Sequence, residues 1–347
     1  MRILALLSTI PAALLAATLN IGPGFEFERI EHALAAAQPN DTLLVHPRED
    51  NAPYEKTALF LEIPVTLRAA ATNITLDGAG FNYSGAGRVP RAIAQFEPGA
   101  SGSVLDGFVL ANARNDSRNG AGVRINRANN ITITNCVIRN NDIGAMSNGD
   151  ATQNTATNQL FIHCVITRNG LPEPTGFSSN LYLGGTEVTL RFCEVSHSRD
   201  GHNLKSRAHI TRVEDCLFLH AANREFDLVD GAGDTDVPNS DAFLIRNTIV
   251  KHPATQGNGN VIHFGRDGAA DHTGTLYAVS NIIVSTYPTA IVDLSSTATA
   301  RLHHNIVTNS HPQARLLSLR HPNARAFGSE NDFPKNLTLD GLTGWDE

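Results

Sequence analysis

The chain has 347 residues, 41% hydrophobic and only 18% charged, with 28 glycines and a formal net charge of −7 at pH 7. That balance excludes a disordered chain and a coiled coil. The net charge argues against general attraction to nucleic acid or to an anionic membrane, leaving room only for a local basic patch.

Arg2 opens an almost wholly apolar run from Ile3 to Leu19, broken by Ser8, Thr9, Pro11 and Thr18, with Ala16 and Ala17 near its end. The pattern predicts a secretory signal peptide over residues 1–19, hence a secreted or periplasmic protein. A membrane anchor would need about 20 uninterrupted apolar residues, and Pro11 sits inside the run. No later run is long enough to span a bilayer.

Phe27, Ile30, Ala33, Leu34 and Ala37 fall at helical spacing and predict a short amphipathic helix over about residues 26–37, stopped by Pro39 and Asn40. Short strands follow at Thr42 to Val45 and Val65 to Arg68. The passage FERIEHALAAAQPNDTLLVHP, with EIPVTLRAA after it, resembles the opening of pectate-lyase-like proteins. The resemblance implies an all-β right-handed parallel β-helix with an N-terminal capping helix. An uncovered first coil would expose its core and an open strand edge.

From about Val104 the chain repeats. ITNCVI, FIHCVI, RFCEV, EDCLF, RNTIV, SNIIV and HNIVT align on Cys136, Cys164, Cys193, Cys216, Asn247, Asn281 and Asn305. An apolar residue stands two positions after each anchor, from Ile138 to Val307, and another three before it, from Ile133 to Leu302. Successive cysteines are 28, 29 and 23 residues apart, which suits one solenoid coil with variable loops. One repeat position for all four predicts a ladder of buried free thiols about 4.8 Å apart. Bridges Cys136–Cys164 or Cys193–Cys216 are the alternative. The β-helix domain is assigned to residues 20–310. Residues 311–347, with Pro312, Pro322, Pro334 and Trp345, are read as a cap or tail without catalytic signal.

Each coil carries another strand: GVRIN, NLYLGG, HNLKSRA, EFDLVDG, VIHFGRD and AIVDLS. Period-2 alternation turns Leu181, Leu183, Leu204, Ser206, Phe226 and Leu228 inward. It turns Asn180, Tyr182, Asn203, Lys205, Glu225, Asp227, His263 and Asp293 outward. The offsets then stack Tyr182, Lys205 and Asp227 in one column and Asn180, Asn203 and Glu225 in the next, with Arg207 continuing the face. His202 falls in the turn before Leu204, where a structural and a catalytic role both stand. Ionisable groups from three coils converging on one sheet mark a candidate site. A solubilising ion-pair ladder is the competing explanation.

Lys205 and Ser206 resemble the Lys-Ser pair of the alginate lyase and chondroitinase B family, in which the lysine is the base. That resemblance implies β-elimination from an acidic, uronate-containing polysaccharide, with Arg224 as the analogous arginine about one coil later. Gly201, His202 and Asn203 replace the acidic residues which that family places before its lysine for calcium. In such a reaction Arg207 with Asn180 or Asn203 would neutralise the uronate carboxylate, Lys205 would take the proton, and Tyr182 or His202 would protonate the leaving oxygen. Arg207 would depress the Lys205 pKa, whereas Asp227 and Glu225 would raise it. His263 is placed with the substrate-binding residues.

A uronate epimerase would use the same groups. A glycoside hydrolase would instead use Glu225 and Asp227 as a pair, their backbones about 6.6 Å apart by strand rise. A non-catalytic carbohydrate-binding β-helix is the third class. The run Asp227, Asp230, Asp234, Asp236 and Asp241 is rich in oxygen ligands but not spaced like an EF-hand, so a solvated loop is preferred and Ca2+ is the alternative. No resident metal is assigned. His303 and His304 are expected to face opposite ways and receive no role, and the protein is expected to act as a monomer.

Overall fold

A computed structural model describes residues 16–171, 178–231, 237–267 and 272–344. The described strands form three parallel sheets of 13, 10 and 10 strands, each visited once per turn of the chain, which fits a parallel β-helix. The expected core columns are in register. Ile133, Phe161, Leu190, Val213, Leu244, Ala278 and Leu302 stack in the 13-stranded sheet. Ile138, Ile166, Val195, Phe218, Ile249, Ile283 and Val307 stack in a 10-stranded one. One apolar core runs the length of the coil from Ile21 to Leu337.

The helix spans Ile30–Ala36 and buries Ile30 and Ala33. It starts later than the apolar spacing predicts because Phe27 bridges to Ile21 and accepts a hydrogen bond from the Gly22 N–H, which holds the preceding segment in a turn. Thr18 and Leu19, assigned from sequence to the leader, lie in the strand Thr18–Ile21, which pairs with Thr42–Val45. Residues 1–15 of the predicted leader, and Trp345, fall outside the described residues. No described helix is long and apolar enough to cross a membrane.

Between the two core columns the chain turns a corner in two residues. The first, Asn135, His163, Phe192, Asp215, Arg246, Ser280 or His304, takes a φ of 52° to 57°. The second is the repeat anchor. Cys136, Cys164, Cys193 and Cys216 are free and buried, and burial pushes the Cys136 thiol up to about 12. In the later coils asparagine takes over, with Asn247 Nδ2 donating to Asn281, Asn281 to Asn305, and Asn305 to Asn331 at 2.9 to 3.0 Å.

Strand pairing runs on past His311. Arg315–Leu319 pairs with Ala290–Leu294, and Arg325–Ser329 pairs with Thr299–His303, so this segment extends the coil instead of only covering it. His303 and His304 do not splay apart. The left-handed corner at His304 brings the two rings to 3.8 Å between centroids.

Candidate active site

The site is built on five consecutive strands of one 10-stranded sheet: Leu181–Leu183, Leu204–Ser206, Phe226–Gly231, Ile262–Asp267 and Ala290–Leu294. Alternation buries Leu181, Leu204, Phe226 and Ile262 on the core side. Tyr182, Lys205, Asp227, His263 and Asp293 then stand in one outward column, each opposite the next in register. The predicted rung of Tyr182, Lys205 and Asp227 is present, and two further coils extend it.

Asp227 is the hub. Its Oδ1 accepts from Arg224 and from His263 Nδ1, each at 2.8 Å. Its Oδ2 lies 3.3 Å from Lys205 Nζ and 3.4 Å from His202 Nε2. Burial alone would raise the Asp227 pKa, but His202, His263 and Lys205 together hold it well below the usual carboxylate range. His202 is sealed in, and burial drives its pKa down to about 4 against the pull of Asp227.

A second carboxylate, Asp267, pairs with Lys205 at 3.0 Å and with Arg207. Burial works against its ionisation, but Lys205 and Arg207 outweigh that and lower its pKa. His263 Nε2 lies 2.7 Å from the Ser295 hydroxyl, which also accepts the Arg266 N–H at 2.9 Å. Arg320 clamps the buried Asp293 through two nitrogens at 2.7 Å. These groups surround a cavity of about 380 Å3, lined by His202, Lys205, Arg224, Asp227, His263 and Ser295 among others. Lys205 and Arg207 also lie over the Tyr182 ring, 5.7 and 5.4 Å from its centroid.

Several sequence expectations are corrected. Asn180, Asn203 and Glu225 do not face outward: all three are fully buried. They precede their strands, at the corner where the chain turns inward. There Asn141, Asn169, Asn180 and Asn203 pass hydrogen bonds from coil to coil and end on Glu225. Asn180 and Asn203 therefore turn no exposed atom to the solvent face of the site. Glu225, facing Lys251 inside the coil, cannot form a hydrolase pair with Asp227 across a solvent-facing cleft. Ser206 points inward to Thr211, 2.7 Å away, so the Lys-Ser pair is split between the two faces. Lys205 donates to two carboxylates, a geometry that suits a fixed cation better than a base. Arg224 turns to Asp227.

Asp234 and Asp236 of the acidic run lie outside the described residues. The other members do not converge on a common point. Asp227 is held by cations, Asp230 faces His272 at 3.7 Å, and Asp241 accepts the Thr275 N–H. Among the described residues, the grouping of potential metal ligands close enough to share an ion is His303, His304 and Glu330, on the neighbouring 13-stranded sheet.

Arg266, Asp267, Ser295 and Arg320 were missed. Carrying the alternation four residues past His263 and two past Asp293 would have placed Asp267 and Ser295 on the site face. Arg320 follows a strand the sequence did not reveal. No protein-family model matches the sequence, and no curated protein matches it.

Proposed function

We propose that this chain is an exported carbohydrate-active enzyme that cleaves an acidic, uronate-containing saccharide by β-elimination. On this reading the scaffold is a right-handed β-helix of the pectate-lyase-like kind, and the helix Ile30–Ala36 closes its first coil. The observation that carries the reading is a cation-rich cavity whose imidazole is held by a carboxylate. Among the described residues, Lys205, Arg207, Arg224, Arg266 and Arg320 outnumber Asp227, Asp267 and Asp293 by two, in a chain of net charge −7. A surplus of fixed cations around a cleft recruits and neutralises carboxylates, which makes the proton next to a uronate carboxylate easier to remove.

A carboxylate can only accept hydrogen bonds, so His263 Nδ1 carries the proton shared with Asp227, and Nε2 is left as an acceptor, turned to the Ser295 hydroxyl at the cavity wall. His263 Nε2 is therefore assigned as the base in place of Lys205. Arg266 and Arg320 pair with the substrate carboxylate, and the Lys205 ammonium supplies the proton to the leaving oxygen. Tyr182 acts as the aromatic floor under Lys205 and Arg207 instead of as the acid.

Incubation with a panel of polyuronates, read by the ultraviolet absorbance of the unsaturated product, tests the proposal. His263→Gln is expected to slow that reaction by about 10²- to 10⁴-fold, the usual contribution of a positioned base. Binding of a polyuronate with no unsaturated product from any member of the panel would favour a non-catalytic role, and full activity in His263→Gln would remove the assigned base.

A further inference from the structure

Asp227 Oδ1, His263 and Ser295 Oγ form a continuous chain of hydrogen bonds, 2.8 Å at one end of the imidazole and 2.7 Å at the other. β-Elimination has no use for the serine. The chain direction is fixed by chemistry: the Asp227 carboxylate must accept from Nδ1, so in the neutral imidazole Nε2 accepts the Ser295 hydroxyl proton. Ser295 Oγ in turn accepts the Arg266 N–H at 2.9 Å.

A second observation shows that the backbone makes room for this contact. Gly265, on the adjoining strand, takes a φ of 149°, and a Cβ there would lie 2.5 Å from Ser295 Oγ. Any side chain at position 265 would push the hydroxyl off His263. Ser295 is partly exposed and lines the same cavity as Lys205 and Arg266, cations whose field would favour negative charge developing there.

We propose that Asp227, His263 and Ser295 work as a catalytic triad in which Ser295 Oγ is a nucleophile that removes an O-acyl group from an acidic saccharide. In the first step Oγ bonds to the ester carbonyl carbon and its proton passes to His263 Nε2. The bond to the sugar oxygen then breaks, and that oxygen leaves with the proton from Nε2. Water next attacks the acyl-serine, giving one proton to Nε2, and the serine oxygen recovers it as the carboxylic acid departs. Ester and water become alcohol and acid, with no other reactant. An acyl group on a hydroxyl suits the cavity better than a methyl ester of the uronate, which would abolish the charge that the cations recognise. The substrate class rests on the acidic-saccharide reading above, whereas the nucleophile rests on geometry alone.

The test combines a fluorophosphonate probe with acetate release from an O-acetylated polyuronate. The full chain is expected to take up one probe on the peptide carrying Ser295. Ser295→Ala, shown to be folded by its thermal melt, should take up none and release acetate at least about a thousand-fold more slowly. Ser295→Cys should become alkylated at that position by iodoacetamide in the native protein, as an accessible thiol beside His263. No probe adduct on the folded wild type, or acetate release that persists in Ser295→Ala, would overturn the nucleophile. An adduct on Ser295 with no acetate released from the polymer would overturn the substrate class. Unsaturated product from the unacetylated polymer is read separately, so failure of the lyase reading is not confused with failure of the triad.

Discussion

His202 Nε2 lies 3.4 Å from Asp227 Oδ2, while its Nδ1 is buried without a hydrogen-bond partner among the described residues. Burial is the largest influence on its pKa, with Arg224, Lys205 and His263 adding to it, and only Asp227 opposes the fall to about 4. The unfolded chain, with a histidine near 6.5, binds a proton between pH 6.5 and 4 that the folded chain refuses. The neutral ring's contribution is therefore complete above pH 6.5 and is lost as pH falls toward 4. Glu225 acts in the opposite direction. Burial raises its pKa to about 7, so its contribution is present below its unfolded value and fades as pH rises through 7. The two slopes partly cancel in the wild type, and a difference measurement separates them. Relative to His202→Gln, the wild type should lose stability on the order of 3 kcal/mol in urea unfolding between pH 7 and pH 4. A gap that does not change with pH would mean the imidazole gains its proton in the folded protein as readily as in the unfolded one.

At the scale of the repeating corner, one anchor position does two kinds of work. A cysteine fills it as a small apolar residue, whereas an asparagine ties three coils together. Asn281 accepts the Asn247 N–H and side-chain amide at 2.9 and 3.0 Å, and it donates to Leu244 O and Asn305 Oδ1. Asn281→Ala strands several of these buried groups at once, so a loss of about 3 kcal/mol is expected in urea unfolding, since each unsatisfied group costs about 1 to 3 kcal/mol. Asn331→Ala, at the partly exposed end of the ladder, should cost about 1 kcal/mol because water replaces the lost partner. Equal losses at the two positions would show that the ladder contributes evenly and not by burial. The same corner explains what could be read from sequence. Anchors and core columns were legible because an apolar position two residues after and three before each anchor is a property of every coil. The fates of Asn180, Asn203 and Glu225 were not, because alternation holds only inside a strand. These residues stand one position before their strands begin, where the turn reverses inside and outside. Left-handed backbone at Phe192, Arg246 and Ser280 was equally invisible, since only Asn135, His163, Asp215 and His304 among the seven are of the types enriched in that conformation.

On the whole molecule, the site is an inversion of the chain's overall charge. The stacking of Tyr182, Lys205 and Asp227 could be read where coils were 22 or 23 residues long. The longer coil that leads to His263 broke the spacing and hid Asp267 and Ser295. What the folded arrangement adds, among the described residues, is a local surplus of two positive charges, with the imidazoles left out of the count, inside a molecule of net charge −7. These two fields oppose each other for an anionic polymer. The body of the protein repels it at long range, and the cavity attracts it at short range. Added salt screens both, but the Debye length at about 0.15 M is still about 8 Å, so contacts inside the cavity survive better than repulsion across the molecule. Association of an oligouronate should therefore be slow at low ionic strength and should quicken as salt rises toward about 0.15 M. The complex, once formed, should dissociate faster with salt because its ion pairs are partly exposed to solvent. Stopped-flow titration across that range, with a neutral oligosaccharide of equal length as the control, separates the two rates. An association rate that falls monotonically from the lowest salt would show that the cavity's field reaches past the negative body, and that long-range steering toward the site dominates.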